Sequence, residues 1–287
     1  MLVLCIPVAT RSARMMRAGR HQPPDFCILR GSKTLVMEFK NKTVVITGAA
    51  RGIGAACADA FEAEGARLGL LDIATASRKG DERLYVSCDV TSASQVSAAM
   101  EVVGRELGGI DILVNNAGIQ RYGTVTETSV ETWDEVMNVN VKGLFLAAKY
   151  AIPWMRKKGK GVVVNVASVQ AFLSQKNVAA YTTAKSAILG LTRSIAVDYA
   201  PRIRSVAVCP GTIDTPMLRE SFALSPDPDL VEQECVDMHL AGRIGTPEEV
   251  ANLILFLAGD KASFITGQAF RIDGGLGITI GGSKREG

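Results

Sequence analysis

From about residue 40 to about residue 275, short apolar runs alternate with longer segments whose apolar positions have helical spacing. The apolar runs are about four to six residues long, rich in β-branched residues and almost continuously hydrophobic, which is typical of strands buried on both faces of a parallel sheet. They predict seven strands, at Thr43–Thr47, Arg67–Leu71, Leu84–Ser87, Ile112–Asn115, Val162–Val166, Arg204–Val208 and Gln268–Ile272.

The segments between these runs predict helices. The last of them has a clear start, with Thr246 as the N-cap, Pro247 in the first position and two acidic residues in the first turn. Repeated strand–helix units imply right-handed crossovers, so we predict an α/β fold: a Rossmann-type doubly wound parallel sheet of about seven strands, with helices on both faces, in a single domain. The predicted helices span about 53–64, 92–107, 129–157, 180–199 and 246–258.

We expect residues 37–280 to form this domain and residues 281–287 to be a C-terminal tail. Only Thr212–Gly245 breaks the strand–helix rhythm, and it is long enough to form a helical lid over a substrate. Residues 1–36 show no clear period, and Met37 directly precedes the first regular element. We interpret this extension as an over-extended start, and a disordered basic tail or an Arg-rich targeting segment remain alternatives.

Composition narrows the class of protein. The chain has 287 residues, 47% hydrophobic and 21% charged, as expected of a globular protein with a sizeable core. Six of the 32 Lys and Arg residues, but only one of the 29 acids, lie in residues 1–36, so the rest of the chain is slightly acidic. It therefore has no basic excess to attract nucleic acid or an anionic membrane.

No apolar run reaches the ~18 residues that a membrane span requires. The six cysteines form no CxxC pair and the two histidines are far apart, so we predict no metal site. Scattered cysteines inside apolar runs indicate reduced thiols and a cytoplasmic location.

A glycine-rich turn, Thr47–Gly54, follows the first predicted strand and opens the first predicted helix. Its glycines let the backbone approach a pyrophosphate, and the helix N-terminus offers N–H groups and a partial positive charge. The sequence therefore predicts a dinucleotide site with contacts from Gly48, Arg51, Gly52, Ile53 and Gly54.

Asp72 ends the second predicted strand, 18 residues beyond Gly54. A carboxylate there can accept hydrogen bonds from both adenosine ribose hydroxyls and would repel a 2′-phosphate, so NAD is favoured over NADP. Arg51 leaves NADP open, because a basic residue in the turn could neutralise that phosphate.

Three residues predict an acid–base site. Tyr181 and Lys185 share one face of a helix, and a nearby ammonium lowers the pKa of a phenol from its ordinary value of about 10. Ser168 directly follows a buried strand, at the sheet edge where such folds bind ligands, and can hold a substrate oxygen. Taken alone, Asn140 would be a mid-helix residue on a polar face.

In their order and spacing, Thr47–Gly54, Asn115–Gly118, Asn140, Ser168, Tyr181 with Lys185, and Pro210–Gly211 resemble the short-chain dehydrogenase/reductase family over about residues 40–275. The resemblance implies hydride transfer between a nicotinamide and a secondary alcohol or carbonyl. It implies a homotetramer paired through the helices near 129–157 and 180–199. The cofactor contacts that it implies are Asp89, Val90, Asn116, Ala117, Gly118, Tyr181, Lys185, Pro210, Gly211 and Thr215.

The same resemblance implies roles for the catalytic residues. Tyr181 is the general acid/base, Lys185 holds the nicotinamide ribose and tunes Tyr181, Ser168 positions the reacting oxygen, and Asn140 supports a water that links Lys185 to solvent.

We expect the small-molecule substrate to contact Gln120 and Gln170 as well as Ser168 and Tyr181. Polar amides at a pocket favour a polyhydroxylated substrate, whose hydroxyls need partners. Ala167–Ala171 and nearby strings are also similar to aldose dehydrogenases, so we predict oxidation of an aldose at C1 to a lactone. A 3-oxoacyl-acyl-carrier-protein reductase, a hydroxysteroid or other alcohol dehydrogenase, and a non-catalytic NAD-binding sensor remain alternatives.

Overall fold

The computed structural model of the protein describes residues 37–74 and 83–278. The predicted extension over residues 1–36 and the predicted tail over residues 281–287 lie outside the described residues.

A seven-stranded sheet, in which every neighbouring pair of strands is parallel, forms the centre of the fold. Its spatial order is β3-β2-β1-β4-β5-β6-β7, so the direction of winding reverses between β1 and β4. The predicted doubly wound α/β fold is confirmed. The strands are β1 Thr43–Thr47, β2 Arg67–Asp72, β3 Leu84–Ser87, β4 Ile112–Asn115, β5 Gly161–Val166, β6 Ile203–Pro210 and β7 Ala269–Ile272.

Helices cover both faces of the sheet. Alternate residues of β1 point to opposite faces: Val44 and Ile46 join the core under α1 and α8, and Val45 joins the core under α2 and α4. The predicted start of the last helix is present as a capping box between Thr246 and Glu249. The helices are α1 Gly52–Ala63, α2 Ala93–Glu106, α3 Val130–Met137, α4 Gly143–Lys158, α5 Ala179–Tyr199, α6 Pro216–Phe222, α7 Pro228–Asp237 and α8 Pro247–Ala258.

The prediction of one continuous helix over 129–157 is wrong in its middle. A π-helical turn, Asn138–Lys142, separates α3 from α4. A π turn adds a residue to the helical ring and rotates the side chains that follow it. Periodicity over the whole segment could not reveal this single-residue shift.

A chain of buried hydrogen bonds joins β4, β5 and α5. The Asn115 amide donates to Asn165 Oδ1 at 2.9 Å, and the Asn165 amide donates to Thr192 Oγ1 at 3.0 Å. All three residues are buried. Because an unpaired buried amide costs about 1–3 kcal/mol, these linked hydrogen bonds favour a single register of α5 on the sheet.

Three features of the described residues bear on the class of protein. Within residues 37–74 and 83–278, no helix has the length and apolar character needed to cross a membrane. Over the same ranges, no group of three His, Cys, Asp or Glu side chains could hold a metal ion. The four described cysteines are free thiols, at Cys57, Cys88, Cys209 and Cys235.

We predict that Gly104→Ala destabilises the protein, although alanine is the better helix former. A Cβ at Gly104 would overlap the indole ring of Trp154, where α2 packs on α4. We expect the free energy of unfolding to fall by about 1–3 kcal/mol in urea titrations. The matched control is Ala98→Gly at an exposed site of α2, which should cost about 1 kcal/mol through helix propensity alone. A more stable Gly104→Ala variant would contradict this packing.

Candidate active site

The glycine turn lies where β1 meets α1, at the point where the winding of the sheet reverses. Gly48 and Gly52 have φ values of 63° and 57°, which side-chain-bearing residues rarely adopt. A Cβ at Gly54 would overlap the Gly48 carbonyl oxygen and lie 2.7 Å from Asn116 Nδ2. The turn therefore requires glycine both for its conformation and for its close packing.

Thr47 and Asn116 fasten this turn to the end of β4. Thr47 Oγ1 accepts hydrogen bonds from the backbone N–H groups of Asn116 and Ala117, at 3.0 and 3.1 Å. The Asn116 amide donates to the carbonyl oxygens of Thr47 and Gly48, at 3.1 and 2.9 Å. Thr47 is predicted from the sequence only as the first residue of the glycine motif, and that position is the only signal of its role.

The residues of this turn fit a dinucleotide. None of the described side chains caps the N-terminus of α1, so its positive end faces the turn. Asp72, at the end of β2, accepts hydrogen bonds from the backbone N–H groups of Ala50 and Ala74, at 2.9 and 3.0 Å. A carboxylate and a helix N-terminus thus flank the same glycine turn, as a ribose and a pyrophosphate would require.

Other predicted cofactor contacts fall on both sides of the turn. A Cβ at Gly52 would lie 3.3 Å from Thr215 Cγ2, so the segment after β6 packs directly on the turn. The Gly211 N–H donates to the Ile272 carbonyl at 3.0 Å. Asp89 Oδ1 accepts from the backbone N–H and hydroxyl of Thr91, and this pairing stabilises its own turn. Contact of Asp89 with an adenine stays a prediction.

Ser168, Tyr181 and Lys185 meet at the carboxyl end of β5. The Ser168 side chain lies near enough to the Tyr181 phenol to lower its pKa. Lys185 is 4% exposed, and its ammonium nitrogen lies 5.4 Å from the centroid of the Tyr181 ring. The same nitrogen donates to the Val166 carbonyl at 3.0 Å, so the last residue of β5 fixes the direction of the Lys185 side chain.

Asn140 joins this group from the π turn. Its amide oxygen accepts from the Ile119 N–H and its amide nitrogen donates to the Ile119 carbonyl, both at 2.8 Å. A Cβ at Gly118 would lie 3.0 Å from Asn140 Oδ1 and 3.6 Å from Lys185 Nζ. Asn140 is 0% exposed, so its interpretation as a residue on a polar helix face is wrong.

Burial shifts the titration of both ionisable groups on α5. It raises the pKa of Tyr181 to about 12, against the lowering effect of the Ser168 side chain. Burial also lowers the pKa of Lys185 to about 8. The pKa of Tyr181 therefore lies above its ordinary value of about 10, and not below it as the Tyr181–Lys185 spacing predicts, because burial is the largest of these effects.

The side-chain amide of Gln170, a predicted substrate contact, already forms hydrogen bonds with two other side chains of the protein. It donates to Gln175 Oε1 at 3.4 Å and accepts from the Thr182 hydroxyl at 3.2 Å. Gln120 precedes Arg121, whose guanidinium donates to the Gln120 carbonyl and pairs with Glu135.

Two residues that the sequence analysis did not single out also belong to this region. Tyr122 follows Gln120 and Arg121 in the loop after β4, and an aromatic residue in that loop was the only signal. His239, which ends the turn after α7, is 5% exposed and accepts from the Thr212 N–H at 3.2 Å through Nε2. No motif marks it, because the contact joins residues that are distant in the chain.

A parallel sheet with a glycine turn at its switch point, next to a paired Ser, Tyr and Lys, defines a nucleotide-dependent oxidoreductase. A family model described as enoyl-(acyl carrier protein) reductase matches residues 48–277. The chain belongs to the short-chain dehydrogenase/reductase family, whose members use NAD or NADP and act on CH–OH groups.

Several characterised proteins are similar. The chain is 39% identical to 2-(S)-hydroxypropyl-CoM dehydrogenase 3 of Xanthobacter autotrophicus over 83% of this chain and 97% of that protein. It is 39% identical to a 3-oxoacyl-(acyl-carrier-protein) reductase of Thermotoga maritima over 84% of this chain and all of that protein. A ligand-free aldohexose dehydrogenase of Thermoplasma acidophilum superposes with a TM-score of 0.81 at 43% identity, over 86% of this chain and 98% of that one.

We predict that Gly54→Ala weakens NADH binding by at least about 100-fold, because its Cβ would displace the Gly48 carbonyl and the Asn116 amide that shape the turn. Fluorescence titration with NADH measures the affinity, and circular dichroism confirms that the variant is folded. Ala60→Gly, further along α1, is the control and should keep the parent affinity. An unchanged affinity in a folded Gly54→Ala variant would contradict the role of the turn.

Proposed function

We propose that this protein oxidises an aldose at C1 to a lactone, with NAD favoured over NADP. The observation that carries the proposal is the convergence of Ser168, Tyr181 and the buried Lys185 at the carboxyl end of β5, the same edge of the sheet as the glycine turn. The catalytic residues are Asn140, Ser168, Tyr181 and Lys185.

When bound, the nicotinamide supplies the hydride acceptor for oxidation and the hydride donor for reduction. The Tyr181 phenolate takes the proton from the substrate hydroxyl, and the Ser168 hydroxyl holds the same oxygen. Lys185 contributes a cation that favours the phenolate and binds the nicotinamide ribose. Asn140 supports the water through which the proton leaves Lys185. Reduction uses the same groups in the reverse order.

The charges around the cleft favour an uncharged substrate over an anionic one. Four arginines on the segments that follow β1, β4 and β6 each pair with a carboxylate: Arg51 with Glu220, Arg121 with Glu135, Arg219 with Asp214 and Glu232, and Arg243 with Glu249. These arginines are matched by carboxylates, so the pairs add no net positive charge that would attract an anion. The similarity to an aldohexose dehydrogenase agrees with a neutral sugar.

The pocket residues of the proposal are Ser168, Tyr181, Gln120 and Gln170. The engaged amide of Gln170 can still offer its remaining hydrogen-bonding capacity to a sugar hydroxyl. The second candidate function is reduction of a 3-oxoacyl thioester, which the 39% identity to a reductase of that name supports. A non-catalytic NAD sensor is disfavoured, because all four catalytic residue types are present and close together.

We further propose that α6 and α7, within Thr212–Gly245, form the substrate lid. The protein acts as a cytoplasmic homotetramer paired through α4 and α5. The free thiols support the location. The pairing is supported by exposed apolar side chains on these helices, Phe145 at 48% and Val197 at 80% exposure.

A spectrophotometric panel at about 340 nm tests the reaction, crossing NAD and NADP with aldoses, secondary alcohols and 3-oxoacyl thioesters. We expect the highest kcat/KM with an aldose and NAD. Because the pKa of Tyr181 is about 12 and oxidation needs the phenolate, kcat/KM should rise with pH across the neutral and mildly alkaline range. Higher turnover of a 3-oxoacyl thioester with NADPH would overturn the aldose assignment.

Tyr181→Phe tests the proton transfer on the substrate that the panel identifies. Loss of the phenol should lower kcat by at least about 1,000-fold while NADH affinity stays near that of the parent. Tyr199→Phe, at the far end of α5, is the control. Activity of Tyr181→Phe within about tenfold of the parent would exclude Tyr181 as the acid/base, and binding without turnover in the parent would favour the sensor.

Asp72→Ala tests cofactor preference. The carboxylate accepts from the Ala50 N–H beside the glycine turn, so its removal takes away the charge that would repel a 2′-phosphate. We expect the ratio of kcat/KM for NAD to that for NADP to fall by about 10- to 100-fold. Asp89→Ala, two residues after β3, should change this ratio less. An unchanged ratio in Asp72→Ala would remove this residue from cofactor selection.

A further inference from the structure

Tyr122 connects three parts of the cleft. It lies in the loop after β4, and its neighbour Gly123 forms a parallel β-bridge with Val178, directly before α5. The Gly123 N–H donates to the Asn177 carbonyl at 2.7 Å, and the Ala179 N–H donates to the Gly123 carbonyl at 3.3 Å. The backbone of the Tyr122 loop is therefore fixed to the first turn of the helix that carries Tyr181.

The side chain of Tyr122 reaches the proposed lid. Its hydroxyl donates to Ser221 Oγ on α6 at 3.0 Å. One phenol thus links the loop that is fixed to the start of α5 with the helix that would cover the substrate.

The residue before Ser221 on α6 is Glu220, which contacts the cofactor end of the site. Glu220 pairs with Arg51 of the glycine turn, whereas Ser221 bonds to Tyr122. Successive residues of one short helix therefore contact the two ends of the site. The contact at the cofactor end is an ion pair between exposed side chains, which is worth little. The contact at the Tyr122 end is a neutral hydrogen bond.

We infer that Tyr122 is a positioning residue: its hydrogen bond to Ser221 holds α6 over the substrate site and so affects how tightly the substrate binds. This inference rests on the proposed function of the site but not on the identity of the substrate. Tyr122 is 45% exposed, so Tyr122→Phe removes the hydroxyl without disturbing the buried core.

The first test compares Tyr122→Phe, Ser221→Ala and the double variant on whichever alcohol or sugar the parent oxidises. Each single change should raise the substrate KM by about three- to tenfold, which is the factor expected for the loss of one neutral hydrogen bond. It should leave kcat within about twofold. The double variant should be no worse than either single one, because both remove the same bond. Fully additive effects, or an unchanged KM in Tyr122→Phe, would overturn the inference.

A second measurement does not need turnover and therefore separates this inference from the proposed function. Limited proteolysis of the NADH complex should cleave the Thr212–Gly245 segment about three- to tenfold faster in Tyr122→Phe and Ser221→Ala than in the parent, because local opening becomes easier. Tyr150→Phe, which removes a phenol hydroxyl on α4, is the control and should match the parent. Equal cleavage rates in all four proteins would refute the proposal that the Tyr122–Ser221 hydrogen bond holds α6 in place, whatever the substrate proves to be.

Discussion

The buried hydrogen bonds from Asn115 through Asn165 to Thr192 are the constraint on which the site depends. They fix β4, β5 and α5 relative to one another, since each amide would be costly to leave unpaired in a dry interior. The residue after Asn115 fastens the glycine turn, β5 leads into Ser168, and α5 carries Tyr181 and Lys185. This series of buried hydrogen bonds therefore aligns the three elements that carry the catalytic and cofactor-binding residues.

Close backbone approach and burial shape the chemistry at the ends of these strands. Gly54 allows the glycine turn to touch Asn116, and Gly118 leaves room between Asn140 and Lys185. The same exclusion of water disfavours both charged forms on α5: the pKa of Tyr181 rises to about 12 and that of Lys185 falls to about 8. A positive charge that enters this region with a ligand would favour the phenolate, so proton transfer is coupled to occupancy of the neighbouring site.

The segment between β6 and α8 covers the site with side-chain contacts from its loops and short helices. Three relatives that are 39–43% identical to this chain are named as a hydroxypropyl-CoM dehydrogenase, a 3-oxoacyl reductase and an aldohexose dehydrogenase. The shared fold therefore does not select the substrate. Here α6 contacts the glycine turn through Glu220 and the Tyr122 loop through Ser221, while His239 holds the Thr212 backbone. These contacts depend on side chains of the loops, which vary more freely than buried strands.

The sequence by itself determined the parallel sheet, the glycine turn and the Tyr181–Lys185 pair, because each is written in local periodicity or in a spacing of a few residues. The tertiary structure alone decided the π turn that buries Asn140, the burial that raises the pKa of Tyr181, and the bond from Tyr122 to Ser221. Each of these depends on how densely distant segments pack around one group, and that density is absent from any short stretch of the chain.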